Sequence, residues 1–328
     1  MRIPSFRVSL VPLAICAAAW SLATTGAMAQ SYPSKNITIV VPYSAGGSTD
    51  IMARSMGKRL ADAWSKNVVI ENRAGASGMI GAELVTRATP DGYTLLATTS
   101  SYPATAATRK KLPFDPGTAI IPVAMIAKAP MLLAVHPSVP AKTVKELVAI
   151  AKKNPGKLNY SSSGVGGNNH FSGALFAAAA GVKMTHIPYK GIAPAVTALV
   201  SGEVDLVISS AAAVMPQVKA GRVRAIAASS PEPSPLLPGL PAIAQSGVPG
   251  YSYELWWGLF APAGTPDSVV KAINTQVNKI LAGADMQKFL DQQGAQPWPH
   301  NVAQLNGLLP REIARYKKAA KIAGITPR

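Results

Sequence analysis

From Asn36 onward one local pattern repeats along the chain. A run of β-branched and apolar residues ends in a glycine- or serine-bearing turn, and a helix-periodic segment follows. "NITIVVPY" passes through "SAGGSTD" into a helix over 50–64, and "NVVIENR" precedes the helix "GMIGAELVTRA". "YTLLATTS" and "MLLAVHP" are further strands, the latter followed by the helix "TVKELVAIAKK". "KLNYSSS", "KMTHIPY", "VDLVISS" and "VRAIAAS" are strands, and "HFSGALFAAAAG", "APAVTALVSG" and "AVMPQVKAG" are the helices between them. Strand, turn and helix in this order predict an α/β protein, with parallel sheets covered by helices and right-handed crossovers.

The stretch from Ser229 to Gly250 is rich in Pro, Gly and Ser and is predicted to be a loop. After it, "YELWWGLFAPAGTP" is a strand. "TPDSVVKAINTQVNKIL" is a helix with an N-cap threonine and a proline at its first position. Two strand-like crossings, near 125–134 and 255–261, would join two doubly wound lobes. The cleft between the lobes would be lined by the carboxyl ends of strands, where open α/β sheets bind ligands.

The first residues read as a cleaved secretory signal. Arg2 and Arg7 form the basic part, residues 8–22 the apolar part, and Ala27-Met28-Ala29 the cleavage site. Bulky Ile15 before Cys16 argues against a lipoprotein signal. Removing 29 of 328 residues leaves 299, a length for two domains, and takes away the one cysteine. Loss of Arg2 and Arg7 lowers the net charge from +17 to +15. The remaining cations are spread out. Arg311, Arg315, Lys317, Lys318 and Lys321 read as the solvated side of a final helix, not a nucleic-acid stripe. Such a surface is compatible with mild attraction of anions.

Four turns at strand ends could carry chemistry. In the first, Tyr43 to Asp50, Gly46 and Gly47 allow close backbone approach beside Ala45. The amides of Ser48, Thr49 and Asp50 open a helix, an anion site that needs no cationic side chain. The Asp50 carboxylate itself is expected to cap that helix or its turn. The second turn holds Ser162, Ser163, Gly164, Gly166, Gly167, Asn168 and Asn169; Asn169 spoils a dinucleotide fingerprint, and there is no phosphate-loop lysine. The third carries Tyr189, Lys190 and Gly191, and the fourth ends a strand with the hydroxyls of Thr99, Ser100 and Ser101. No serine sits in a G-x-S-x-G elbow. The histidines, His136, His170, His186 and His300, show no metal spacing. No catalytic residue, metal or cofactor is expected. Binding is supported better than catalysis, with a serine hydrolase as the alternative.

Taken together these turns resemble the Bug family of extracytoplasmic solute-binding receptors, the TctC-like component of tripartite tricarboxylate transporters. The resemblance rests on "ITIVVPYSAGGSTDIMAR", "VVIENRAGASGMIGAE", "DGYTLL", "KLPFDP", "VHPSVPAKTVKELVAIAKKNPGKLNYSSSGVGG", "HIPYKG", "SGEVDLVIS", "VKAGRVRAIA" and "WWGLFAPAGTP". It implies a type II-like periplasmic binding protein fold, a monomer whose lobes close on a small carboxylated solute. One lobe would be 30–128 plus 256–328, the other 129–255. It also implies that the turns at Tyr43–Asp50 and Ser162–Asn169 grip the carboxylate, partly through water. Asp205, inside one matching string, joins the candidate ligand residues. Partners would be the permease subunits of a tripartite transporter, or a sensor without transport. Gly167-Asn168 replaces a more usual Gly-Ser, Ala174 replaces an acidic residue, "TTSSYPATAA" lacks a common Asn, and "SSAAAVMP" is less polar than its usual counterpart. These departures imply a more apolar site or a different acid. A bulky residue at Gly46 or Gly167 is expected to weaken binding with little loss of fold.

Overall fold

The computed structural model describes residues 1–4 and 32–327. The apolar run and cleavage site of the expected signal, with Cys16, lie outside the described residues.

Among the described residues ten strands form one mixed sheet. β1 (Ile37–Val41) lies between β2 (Val68–Asn72) and β3 (Thr94–Thr99), all parallel. Two longer strands cross the middle antiparallel to each other: β4 (Ile120–Val135) and β9 (Glu254–Pro262). A second parallel triplet is β5 (Asn159–Ser162) between β6 (Thr185–Pro188) and β7 (Leu206–Ser210). β8 (Arg224–Ala228) and β10 (Gln296–Pro297) add to β4, and the order along the sheet is β2-β1-β3-β9-β4-β7-β5-β6. The expected parallel pairing holds within each triplet, and the two crossing strands between the triplets run antiparallel to each other. A chain that crosses from one half to the other and returns must run both ways.

The crossing has a defined position. β4 pairs with β9 as far as Pro130 opposite Glu254, then changes partner, with Met131 opposite Ser210 of β7. Ser229, fully buried, ties the crossing segments together. Its hydroxyl donates to the Tyr253 carbonyl at 2.5 Å and accepts the Met131 N–H at 2.6 Å.

Helices cover both faces. They are α1 (Ser48–Trp64), α2 (Met79–Thr86), α3 (Ser101–Ala107), α4 (Val144–Lys153), α5 (Asn168–Ala180), α6 (Ile192–Ser201), α7 (Ala211–Lys219), α8 (Asp267–Leu281), α9 (Ala284–Gln292), α10 (Val302–Leu305) and α11 (Leu308–Ile322). The two-residue period of a strand sends alternate side chains to opposite layers. Ile37, Ile39 and Val41 join Met52, Met56 and Leu60 of α1 and Ile273 and Val277 of α8 in one core. Val40 and Leu96 join Met79 and Val85 of α2 in another. In the second half, Phe171 and Phe176 of α5 pack on one face and Val196 and Leu199 of α6 on the other. Truncating a side chain as enclosed as Phe171 costs about 3–5 kcal/mol.

Two local expectations change. Thr265 does not cap α8: its hydroxyl donates to the Pro262 carbonyl at 2.8 Å, and Pro266 is the flanking residue. The turn after β3 continues directly into α3, a helix hidden in the sequence by its proline and its small residues. The basic residues of α11 do lie on its outer side, opposite buried Ile313, Tyr316 and Ala320.

Candidate functional site

The first and second glycine turns face one another across the sheet's crossing. Gly46 and Gly166 adopt φ 75° and 81°, left-handed values that glycine takes without strain. Each is followed by a glycine N-cap, Gly47 (φ −77°, ψ 166°) and Gly167 (φ −76°, ψ 169°), which has no side chain to offer the helix. The first-turn amides of α1 and α5 therefore keep their donors for another acceptor. At α5 one is taken from across the cleft: Asn168 N–H donates to Ser101 Oγ at 3.0 Å. Asn168 also spans the halves through its side chain. Its Oδ1 accepts from Tyr253 Oη at 2.9 Å, and its Nδ2 donates to Thr99 Oγ1 at 3.4 Å.

Between these helix starts lies a small cavity of about 30 Å³. Tyr43, Gly47, Ser48, Thr49 and Thr99 come to it from the first half, and Ser163, Asn168 and Asn169 from the second. Every one of its lining side chains is uncharged. The Tyr43 phenol is pushed up by burial, against the opposing effect of neighbouring Thr98, Thr99 and Ser101 hydroxyls, and it shares a 3.0 Å hydrogen bond with Thr98. It stays a neutral O–H.

Several candidates support this pocket without lining it. Burial alone would raise the pKa of Asp50. Hydrogen bonds from Arg54, the Gly46 N–H and Asn72 outweigh that and hold it below the usual carboxylate range. The carboxylate thus braces the first turn, the capping role expected of it. Ser162 Oγ accepts the Gly164 N–H at 3.1 Å and lies 2.6 Å from His186 Nε2. Ser100 Oγ accepts from Trp256 N–H at 3.4 Å. Gly164, Gly166 and Gly191 are places of close approach between the halves. A Cβ at these glycines would stand 2.5 Å from Ser77 Oγ, 2.3 Å from Thr108 Oγ1 and 2.3 Å from Ser44 Oγ, respectively. A Cβ at Gly167 would stand 3.0 Å from Ser163 Oγ, whereas one at Gly46 would meet nothing within 4 Å. Ala45 is exposed.

Three candidates stand apart from the pocket. Asp205 precedes β7, and its carboxylate accepts the Asn159 N–H at 2.7 Å. The pocket is at the other end of that strand, about 17 Å away for five residues. Tyr189 and Lys190 follow β6, the outermost strand; Tyr189 Oη reaches Glu203 at 3.5 Å, and Lys190 is exposed. Five lining residues were not among the candidates: Met131, Ile192, Ser209, Ser210 and Leu255. Met131 and Leu255 are brought there by the crossing strands. Ser209 and Ser210 end β7 without the glycine turn that marked the other sites.

Comparison with known proteins shows the family and the fold. Residues 52–325 match the model of the tripartite tricarboxylate transporter family receptor, TctC. BugT of Bordetella pertussis is 32% identical over 298 residues, which are 90% of this chain and 91% of that protein. A structure described as R. palustris Rpa4515 with adipate superposes with a TM-score of 0.88 at 38% identity, covering 90% of this chain and 100% of the other. MatC (Rpa3494) from Rhodopseudomonas palustris with bound malate gives 0.82 at 32% identity, with 88% and 99% covered. Opposed helix starts, a periplasmic-binding-protein sheet and a family match over most of its length converge on one conclusion: the chain belongs to the Bug, or TctC-type, family of solute-binding receptors.

Proposed function

We propose that this receptor captures a small carboxylated solute between two lobes, 30–128 with 256–328 and 129–255, and delivers it to the permease subunits of a tripartite transporter. The carrying observation is that two glycine-capped helix starts, α1 and α5, open onto one uncharged pocket. A carboxylate enclosed there needs donors, because a buried unpaired charge is very costly. The first-turn amides supply them, reinforced by the positive ends of two helix dipoles. Adipate and malate in the two related structures support the same class of ligand. The family match and the secretory signal expected from the sequence support a periplasmic location. Among the described residues no helix is long and apolar enough to cross a membrane.

A thermal-shift screen over a carboxylic-acid library tests the reading. A cognate acid at about 100 times its Kd raises stability by about 2.7 kcal/mol, and closure alters the emission of Trp256 and Trp257. No shift with any carboxylate would overturn it.

One observation favours a second reading. Ser162 and His186 stand at hydrogen-bonding distance, as in a serine hydrolase. Ser162 is fully buried, however, does not line the pocket, and is engaged by Gly164. Ester hydrolysis abolished by Ser162→Ala would establish that reading, and an unchanged background rate would remove it.

A further inference from the structure

α11 touches both halves of the molecule, packing against α3 of the first and α5 of the second. Tyr316, near its middle, is 2% exposed and sets its ring edge-on to Phe171 of α5, with centroids 5.1 Å apart. Its hydroxyl shares a 3.0 Å hydrogen bond with Tyr253 Oη and donates to Asn168 Oδ1 at 3.4 Å. Tyr253 Oη donates to the same oxygen at 2.9 Å. All three side chains are buried. A phenylalanine at 316 would fill the same space and need no partner, so packing alone does not call for the hydroxyl. What the hydroxyl does is fix a carboxamide. Asn168 has two acceptor lone pairs and two N–H donors. Burial raises both phenols above their ordinary range, so both keep their protons. With Oδ1 held by phenolic hydroxyls, the amide nitrogen is turned to Thr99, at 3.4 Å, which like Asn168 lines the pocket.

A cavity of about 30 Å³ has room for little more than water, so an organic acid reaches it only when the halves part. With the lobes divided as above, Asn168 then leaves Thr99, Ser101 and Tyr316 together, because all three belong to the first lobe. Resting on that two-lobe reading, we propose that Tyr316 is a closure latch. α11 reaches over from the first lobe, and the Tyr316 hydroxyl, through Asn168 and Tyr253, holds α5 shut over the solute and keeps the Asn168 N–H turned inward. The helix that carries the latch is itself anchored: one turn earlier, Glu312 accepts from Trp256 Nε1 of β9 at 2.9 Å. Tyr316 does not line the pocket. It is a positioning residue, and it governs how long a solute stays, not which solute is admitted.

Stopped-flow measurement of Trp emission on the full mature chain, with adipate and malate as probes, reads association and dissociation separately. Tyr316→Phe keeps the ring and its contact with Phe171 and removes only the hydroxyl. It should raise the dissociation rate about threefold to tenfold, the worth of one ordinary buried hydrogen bond, and leave the association rate within about twofold. In an Asn168→Ala background the same substitution should have little further effect, because the latch acts through that carboxamide. A core that was merely loosened would instead add its loss to that of Asn168→Ala. If Tyr316→Phe does not fold, Tyr253→Phe, which removes the other phenol of the pair, gives the same split between the rates. An unchanged dissociation rate, an equal change in both rates, or additive losses overturn the latch and leave the carboxylate reading standing. Absence of binding by these two acids and by every acid of the screen overturns both.

Discussion

In the first glycine turn the Gly46 N–H donates to the Asp50 carboxylate at 2.9 Å, four residues on. In the second, the Gly166 N–H donates to His170 Nδ1 at 3.1 Å, again four residues on. The backbone paths match further: Gly47 N–H reaches Ser44 O at 3.4 Å, Gly167 N–H reaches Gly164 O at 3.2 Å, and each N-cap carbonyl accepts from its helix at 3.0 Å. What differs is the acceptor. The Asp50 charge is compensated by Arg54, half-exposed, and by Asn72. His170 lies instead among rings, stacked 3.9 Å from His186 and 6.4 Å from Tyr160. A carboxylate would be costly there, whereas an imidazole nitrogen accepts without a formal charge. The turn requires an acceptor at that position, and the surroundings decide which kind.

The turns also differ in how tightly they meet the opposite half, and this gives the largest expected effect. Gly166→Ala would place its Cβ against Thr108 and 3.2 Å from the Thr105 backbone, so the halves cannot meet as they do here. Solute affinity should fall by roughly tenfold to a hundredfold, the equivalent of ordinary overpacking. Gly46→Ala has open space and pays only for its left-handed conformation, about 1–2 kcal/mol of stability. Its affinity should change little. Titration of both variants with one acid from the screen checks the contrast, and equal losses would erase it.

The acceptors provide the next test. Asp50→Asn leaves Arg54 and Gly46 with a weaker partner and should cost about 1–3 kcal/mol at pH 7. Asp50 has its folded-state pKa lowered, so its contribution is present above the unfolded pKa of about 3.9 and is lost as pH falls through the folded value. The gap between the original protein and the variant should therefore close in acid. Denaturant melts at pH 7 and near pH 3 measure it, and a gap that did not narrow at all between them would mean that the charge is not what braces the turn.

Much of this arrangement was legible in residues alone, for reasons that can be named. β-branched runs followed by helix-periodic segments fix the α/β class, because strand and helix bury side chains at different periods. Gly46 and Gly166 announced their turns, because few other residues take positive φ without strain. Hydrogen-bonding direction was not legible. Ser209 and Ser210 look like the end of a strand, and only the fold shows them opening on the pocket. Asp205, Tyr189 and Lys190 have suitable chemistry but stand apart from the pocket: Asp205 lies before its strand instead of after it, and the other two follow the outermost strand. The antiparallel course of β4 and β9 depends on pairing between segments over a hundred residues apart, which no local period records.

The smallest effect concerns a helix start built for the opposite purpose. α4 begins with a full capping box: Thr143 Oγ1 accepts the Glu146 N–H at 3.2 Å, and the Glu146 carboxylate accepts the Thr143 N–H at 3.0 Å. Its donors are occupied by its own chain, on the surface, whereas those of α1 and α5 face the pocket behind glycine caps. Thr143→Ala should cost about 1 kcal/mol of stability, the usual value of an N-cap, and leave affinity for the acid unchanged. Gly167→Ser, which brings a hydroxyl to α5 where it can cap, should do the reverse, weakening binding while the fold is retained. If both substitutions altered stability alone, the glycine caps would be mere features of chain geometry, and the donors they leave open would not be what holds the anion.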